Sequence, residues 1–159
     1  MMSKSIWGRE MTTDETRLVR ESWNTLAPLA DLVATRFYHR LFAIDPTTVP
    51  LFQHTDPIDQ RRKLIKALTV VVQGLDRLEP IAQILSDMGR RHRRFGVTER
   101  HYESVGAALL WTLEQTLDSE WTLSVKNAWS RAYALIVDLM RGAPLAGGDK
   151  RNLNGTPVC

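Results

Sequence analysis

Apolar residues recur three or four positions apart through most of the chain, the spacing of one face of an α-helix. A first helix is expected to start near Thr13, because Thr12 with Glu15 three residues on fits a capping box. Leu18, Ser22, Leu26 and Leu29 make its stripe. A second helix carries Val33, Phe37, Leu41 and Ile44, with Tyr38 and Phe42 beside them. Asp45-Pro46 should stop it, since the residue before proline is pushed out of the α region. After a short turn or helix through Leu51 and Phe52, Asp56-Pro57 should open a third helix, with Asp as N-cap and Pro at the first helical position. Its stripe is Leu64, Leu68, Val71 and Leu75, with Val72 alongside and Gln60 one turn before Leu64.

Glu79-Pro80 predicts another start, with Ile81, Leu85, Met88 and His92 on one face and Gly96 as the stop. Thr98 can cap a helix carrying Tyr102, Val105, Leu109, Leu113 and Thr116. The last helix is expected from about Trp121 to Arg141, with Val125, Ala128, Trp129, Ala132, Ile136 and Leu139 inward and Gly142 ending it. No segment shows convincing strand alternation. The expected class is all-α, with six to eight helices in one domain over 14–141, an N-terminal extension over 1–13, and a flexible Gly-, Pro- and Asn-rich tail over 142–159.

Composition narrows the class without naming a function. The chain has 159 residues, 43% hydrophobic and 25% charged, which fits one soluble domain and excludes a largely disordered chain. A single cysteine, Cys159, excludes an intrachain disulfide. No apolar run of about 18 residues predicts a transmembrane helix, and residues 1–13 hold no apolar signal core, so a cytoplasmic protein is expected. The net charge of +3 is uneven. Arg61, Arg62, Lys63 and Lys66 form one cluster; Arg90, Arg91, Arg93 and Arg94 surround His92 in another. They are either solvated faces or the neighbours of something anionic. Nucleic acid is a poor fit, because no base-stacking aromatics interleave with the second cluster apart from Phe95.

His92 is the first candidate for chemistry. A histidine on an apolar face is more often a hydrogen-bonded core residue than a ligand. This one closes a stripe, Ile81–Leu85–Met88, that could wall a dry pocket, and imidazole is a common axial ligand of haem iron. An opposite wall with a few donors could come from Gln60, Leu64 and Leu68, with Tyr38 approaching from the second helix and Phe52 wedged nearby. Each of these also reads as ordinary core.

Taken in order, Glu21-Ser22-Trp23, Arg36 to Phe42 with Asp45-Pro46, Leu51-Phe52, Gln60 to Leu64, His92 to Val97 with His101 to Gly106, and Ala128 to Tyr133 resemble the globins. The likeness is to bacterial single-domain haemoglobins and the haem domain of flavohaemoglobins. It spans roughly Glu15 to Arg141, and the 32 residues from Gln60 to His92 suit a distal-to-proximal pair. The resemblance implies a three-over-three helical sandwich around one haem b. In it His92 is the iron ligand, Tyr38 and Gln60 are distal donors, Leu64 is the apolar distal residue and Phe52 wedges the haem. Tyr102 contacts the proximal histidine or its neighbours, and Val97 lies against the haem. Lys63, one position before Leu64, is the first candidate for a haem propionate, with Arg61 and Arg91 behind it.

The implied function is binding of O2, and also CO and NO, for oxygen binding, transfer or scavenging, at an iron able to be pentacoordinate. The alternatives are an NO dioxygenase working with a separate reductase, and a haem-based gas sensor. Two departures bear on this. There is no glycine-rich dinucleotide fingerprint of the reductase that flavohaemoglobins carry. No glutamate follows Glu120; Pro144 falls where that family has a proximal carboxylate late in the last helix. His54, just after Phe52, could replace Gln60 on the distal side.

Overall fold

The computed structural model describes residues 11–142; the expected extension (apart from its last residues), tail, Pro144 and Cys159 lie outside the described residues. Six α-helices occur among the described residues: α1 (Thr13–Leu26), α2 (Ala30–Ile44), α3 (Pro57–Gln73), α4 (Leu78–Arg94), α5 (Glu99–Leu117) and α6 (Leu123–Met140). Short 3₁₀ segments follow α1, α2 and α5, and the described residues hold no strand.

Local chemistry sets the boundaries. Thr12 and Glu15 form a reciprocal capping box. Asp56 accepts from Ile58 N–H ahead of Pro57, and Thr122 accepts from Val125 N–H to start α6. Gly96 (φ +94°) and Gly142 (φ +86°) turn the chain after α4 and α6 in the left-handed region that glycine adopts at low cost. α4 starts at Leu78, slightly ahead of Glu79-Pro80. Two expected core positions are corrected. Leu29 is 44% exposed and Ile44 39% exposed, because Leu29 falls in the 3₁₀ turn beyond α1 and Ile44 is the last residue of α2. Val19 and Trp23 fill the inner face of α1 instead.

Helices α1, α3 and α4 lie over α2, α5 and α6. α2 packs on α5 and α5 on α6 within one layer; α1 crosses to α6, α3 to α2, and α4 to α6. The core joins Trp23, Phe37, Leu41, Leu113, Trp129 and Leu139 from both layers. Trp129 Nε1 donates to Ser22 Oγ at 2.8 Å, so the one polar atom of this ring is satisfied inside the core. Arg20 of α1 donates to the Val72 and Gln73 carbonyls and meets Asp76, placing a cation on the C-terminus of α3.

Consecutive helices α3 and α4 share only a corner. A Cβ on Gly74 would fall 2.8 Å from Ile81 Cγ2 there, yet beyond it α3 packs on α1 and α2 while α4 packs on α6. The two helices therefore diverge and leave a gap between them.

Candidate functional site

Half-buried apolar side chains come from the elements that border this gap: Phe52 before α3, Leu64 on α3, Met88 on α4, Val97 in the α4–α5 loop, Val105 on α5 and Ile136 on α6. Each packs on the core with part of its surface uncovered.

On α4, His92 is half-buried and its Nδ1 lies 2.8 Å from the Met88 carbonyl oxygen. A carbonyl only accepts, so Nδ1 carries the proton and Nε2 presents its lone pair. Nothing among the described residues bonds to Nε2. Burial holds the imidazole below its usual pKa, against the opposing pull of the Met88 carbonyl. The ring is thus neutral near pH 7, as a metal ligand must be, and its second nitrogen is oriented by the backbone. This donor set fits a haem iron.

Tyr38 and Gln60 meet although 22 residues separate them in the chain: Gln60 Nε2 donates to Tyr38 Oη at 3.2 Å. The Tyr38 ring sits edge-on to Phe37 (4.9 Å between centroids) and Phe52 (5.4 Å), with Phe42 at 5.9 Å. This aromatic packing holds the phenol in place. Burial pushes the Tyr38 pKa up, with the Gln60 hydrogen bond acting the other way, so the hydroxyl keeps its proton at neutral pH. His54 is exposed at the corner, and Gln60 is the side chain that reaches Tyr38.

Tyr102 is buried, and its hydroxyl has no hydrogen-bond partner among the described residues. Burial raises its pKa, with the Arg93 charge lowering it, so the phenol stands near a neighbour of His92.

The basic clusters divide. Arg93 donates to the Met140 carbonyl at 3.2 Å, fastening α4 to the end of α6. Arg90 pairs with Asp87, and Arg61 meets Asp31 at 3.5 Å. Arg62, Lys63, Lys66, Arg91 and Arg94 are exposed.

One polar cluster escaped the reading of the chain. Asp45 is 4% exposed and accepts from Ser104 Oγ (2.6 Å), Thr47 Oγ1 (2.5 Å) and Thr47 N (3.1 Å). Thr47 Oγ1 also lies 3.0 Å from His101 Nε2, while His101 Nδ1 accepts from Thr98 N–H at 3.0 Å. These contacts tie the 3₁₀ segment Pro46–Phe52, which carries Phe52, to the start of α5. The available signal was Thr98 with His101 three residues on, a capping-box spacing with histidine in the usual place of glutamate.

A neutral, backbone-oriented imidazole and a tyrosine–glutamine pair, on helices of an all-α sandwich, fit a haem protein. The family model described as Globin matches residues 35–140, and the chain belongs to the globin family. The chain is 27% identical to a neuroglobin of Tetraodon nigroviridis over 155 residues, covering 89% of this chain and 98% of that protein. It is 28% identical to a neuroglobin of Danio rerio over 149 residues, covering 85% of this chain and 94% of that protein. It is also 28% identical to a flavohemoprotein of Bacillus subtilis over 127 residues, covering 79% of this chain but 32% of that longer protein. No helix among the described residues is long and apolar enough to cross a membrane.

Proposed function

We propose that this globin is a cytoplasmic haem b protein that binds O2, and also CO and NO, and retains O2 through Tyr38. The observation that carries the reading is the direction of the Gln60–Tyr38 hydrogen bond. Gln60 supplies the proton, so the Tyr38 oxygen is the acceptor and its own O–H remains available to a third group. When bound, haem supplies a ferrous iron that takes diatomic ligands. His92 would hold it through Nε2, and Phe52, Leu64, Met88 and Val97 would lie against the macrocycle, with Tyr102 on the proximal side. Lys63, exposed at the surface, would meet a propionate. A hydrogen bond to a negatively polarised acceptor contributes about 1.5–3 kcal/mol, or roughly 10- to 150-fold in affinity. Tyr38 would therefore favour O2, which gathers charge from ferrous iron, over CO, which gathers less. Ferric, ferrous and oxygenated absorption spectra test this: a Soret band with a stable oxygenated form is expected, and no Soret band after haem reconstitution would sink every haem reading.

The likeness to a flavohemoprotein favours a second reading, an NO dioxygenase that converts NO and O2 to nitrate with electrons from a separate reductase. One rapid reaction with NO is not enough to support it. Repeated turnover with a reductase present is its expected result, and a single turnover under those conditions assigns the chain to O2 binding alone.

A further inference from the structure

A concavity is lined by the tyrosine–glutamine pair and Phe52. It is about 250 Å³ and sits at the corner between the 3₁₀ segment Pro46–Phe52 and the start of α3. Its inner wall is aromatic: Phe42 and Phe52, with centroids 5.7 Å apart, and the ring of Tyr38. Exposed Val49 and Pro57 stand at its mouth. An apolar cavity of about 150 Å³ accommodates a benzene ring, so this one has room for a ring bearing a small substituent. Its walls are apolar on most sides, which suits a ring more than a hydrated ion.

One charged group joins the lining, Arg61, in the first turns of α3. Its Nε is buried and has no hydrogen bond among the described residues. The Asp31 carboxylate lies 3.5 Å from it and is 88% exposed, a solvated ion contact of small worth. A guanidinium has several donors in a planar fork, and a carboxylate entering from the pocket would engage it with charge-assisted hydrogen bonds.

We propose that this corner pocket binds a small aryl carboxylate, with its ring on Phe42 and Phe52 and its carboxylate on Arg61. The occupant would touch Tyr38 and Gln60, which also line the pocket, and so would alter the geometry of the distal donors. Only that last effect rests on the haem reading. Binding itself does not need haem, so the two can fail separately.

The test is a calorimetric and saturation-transfer NMR titration of the full chain with benzoate, before and after haem reconstitution. Benzyl alcohol serves as the uncharged ring and acetate as the charge without a ring. Benzoate is expected to bind in the millimolar range or tighter, and to bind more tightly than either control. Arg61→Met should weaken benzoate by about tenfold, the loss of one charge-assisted contact, while leaving benzyl alcohol unchanged. Val49→Trp, which fills the mouth, should abolish both, with far-UV circular dichroism confirming the fold. Equal binding of benzoate and benzyl alcohol, benzoate binding indifferent to Arg61→Met, or no binding would each overturn the proposal. With haem present, a saturating concentration of benzoate should change the O2 dissociation rate; an unchanged rate removes the coupling to the distal pair.

Discussion

Tyr38 owes its role to three neighbours acting on one oxygen. Phe37 and Phe52 fix the ring edge-on, burial keeps the phenol protonated, and Gln60 fills an acceptor site without consuming the proton. Tyr38→Phe keeps the packing and deletes only the hydroxyl. It is expected to raise the O2 dissociation rate about tenfold or more, the magnitude of one hydrogen bond to a charged acceptor. Stopped-flow displacement of O2 by CO measures it, and an unchanged rate would assign retention to another donor, Gln60 first. His92→Ala removes the one imidazole on α4, and haem is expected to be lost from the chain or held without a proximal bond. Titration of the variant with haem, followed at the Soret band, reads that directly.

At the scale of helices, the two glycines on α4 and α5 mark the closest approaches. A Cβ on Gly89 would fall 1.8 Å from the Met140 carbonyl oxygen, a backbone atom that cannot step aside. Gly89→Ala must therefore push α4 away from α6, which also strains the Arg93 bond to that same carbonyl. A cost of about 3 kcal/mol or more is expected, in the upper range for overpacking. A Cβ on Gly106 would meet the Tyr133 ring at 2.7 Å, a side chain able to shift, although its hydroxyl is anchored on the Tyr102 carbonyl. Gly106→Ala should cost less, about 1–2 kcal/mol. Urea unfolding midpoints rank the two, and the reverse order would contradict this account of the α4–α6 crossing.

Across the whole molecule, the gap between α3 and α4 exists because each helix is fastened elsewhere. Arg20 holds the end of α3 against α1, Arg93 holds the end of α4 against α6, and the Asp45 cluster pins the corner between α2 and α3 to α5. The last of these is pH-dependent. The Ser104 hydroxyl foremost, then Thr47, hold the Asp45 carboxyl below its ordinary pKa. The folded state thus prefers the ionised form. Its stabilisation is fully present above the unfolded value of about 3.9 and is lost as pH falls through the lower folded value. Asp45→Asn should be less stable than the parent chain at pH 7, and the difference should shrink in acid. Urea midpoints across that range check it; a difference independent of pH would mean that the side chain's shape, not its charge, is what matters.

Much of this protein is legible along the chain, because helix ends and faces are set by residues a few positions apart. The capping box at Thr12 and Glu15, the Asp56-Pro57 start, the glycine stops and the stripe ending at His92 are all such short-range features. The spacing fails only at Leu29 and Ile44, where periodicity runs past the point at which a helix ends and no partner element covers the side chain. Tertiary structure decided what each charged or polar group meets. Eight cations look alike in two short clusters, yet Arg93 bonds to α6 and Arg90 pairs within its own helix, Arg61 only approaches Asp31, and Lys63 stays at the surface. Likewise Asp45, a helix stop by sequence, becomes the acceptor that joins two remote segments. Hydrophobic periodicity and capping act over one or two turns and so survive in the sequence. The partner of a buried polar atom depends on where distant helices cross, and only the assembled layers determine that.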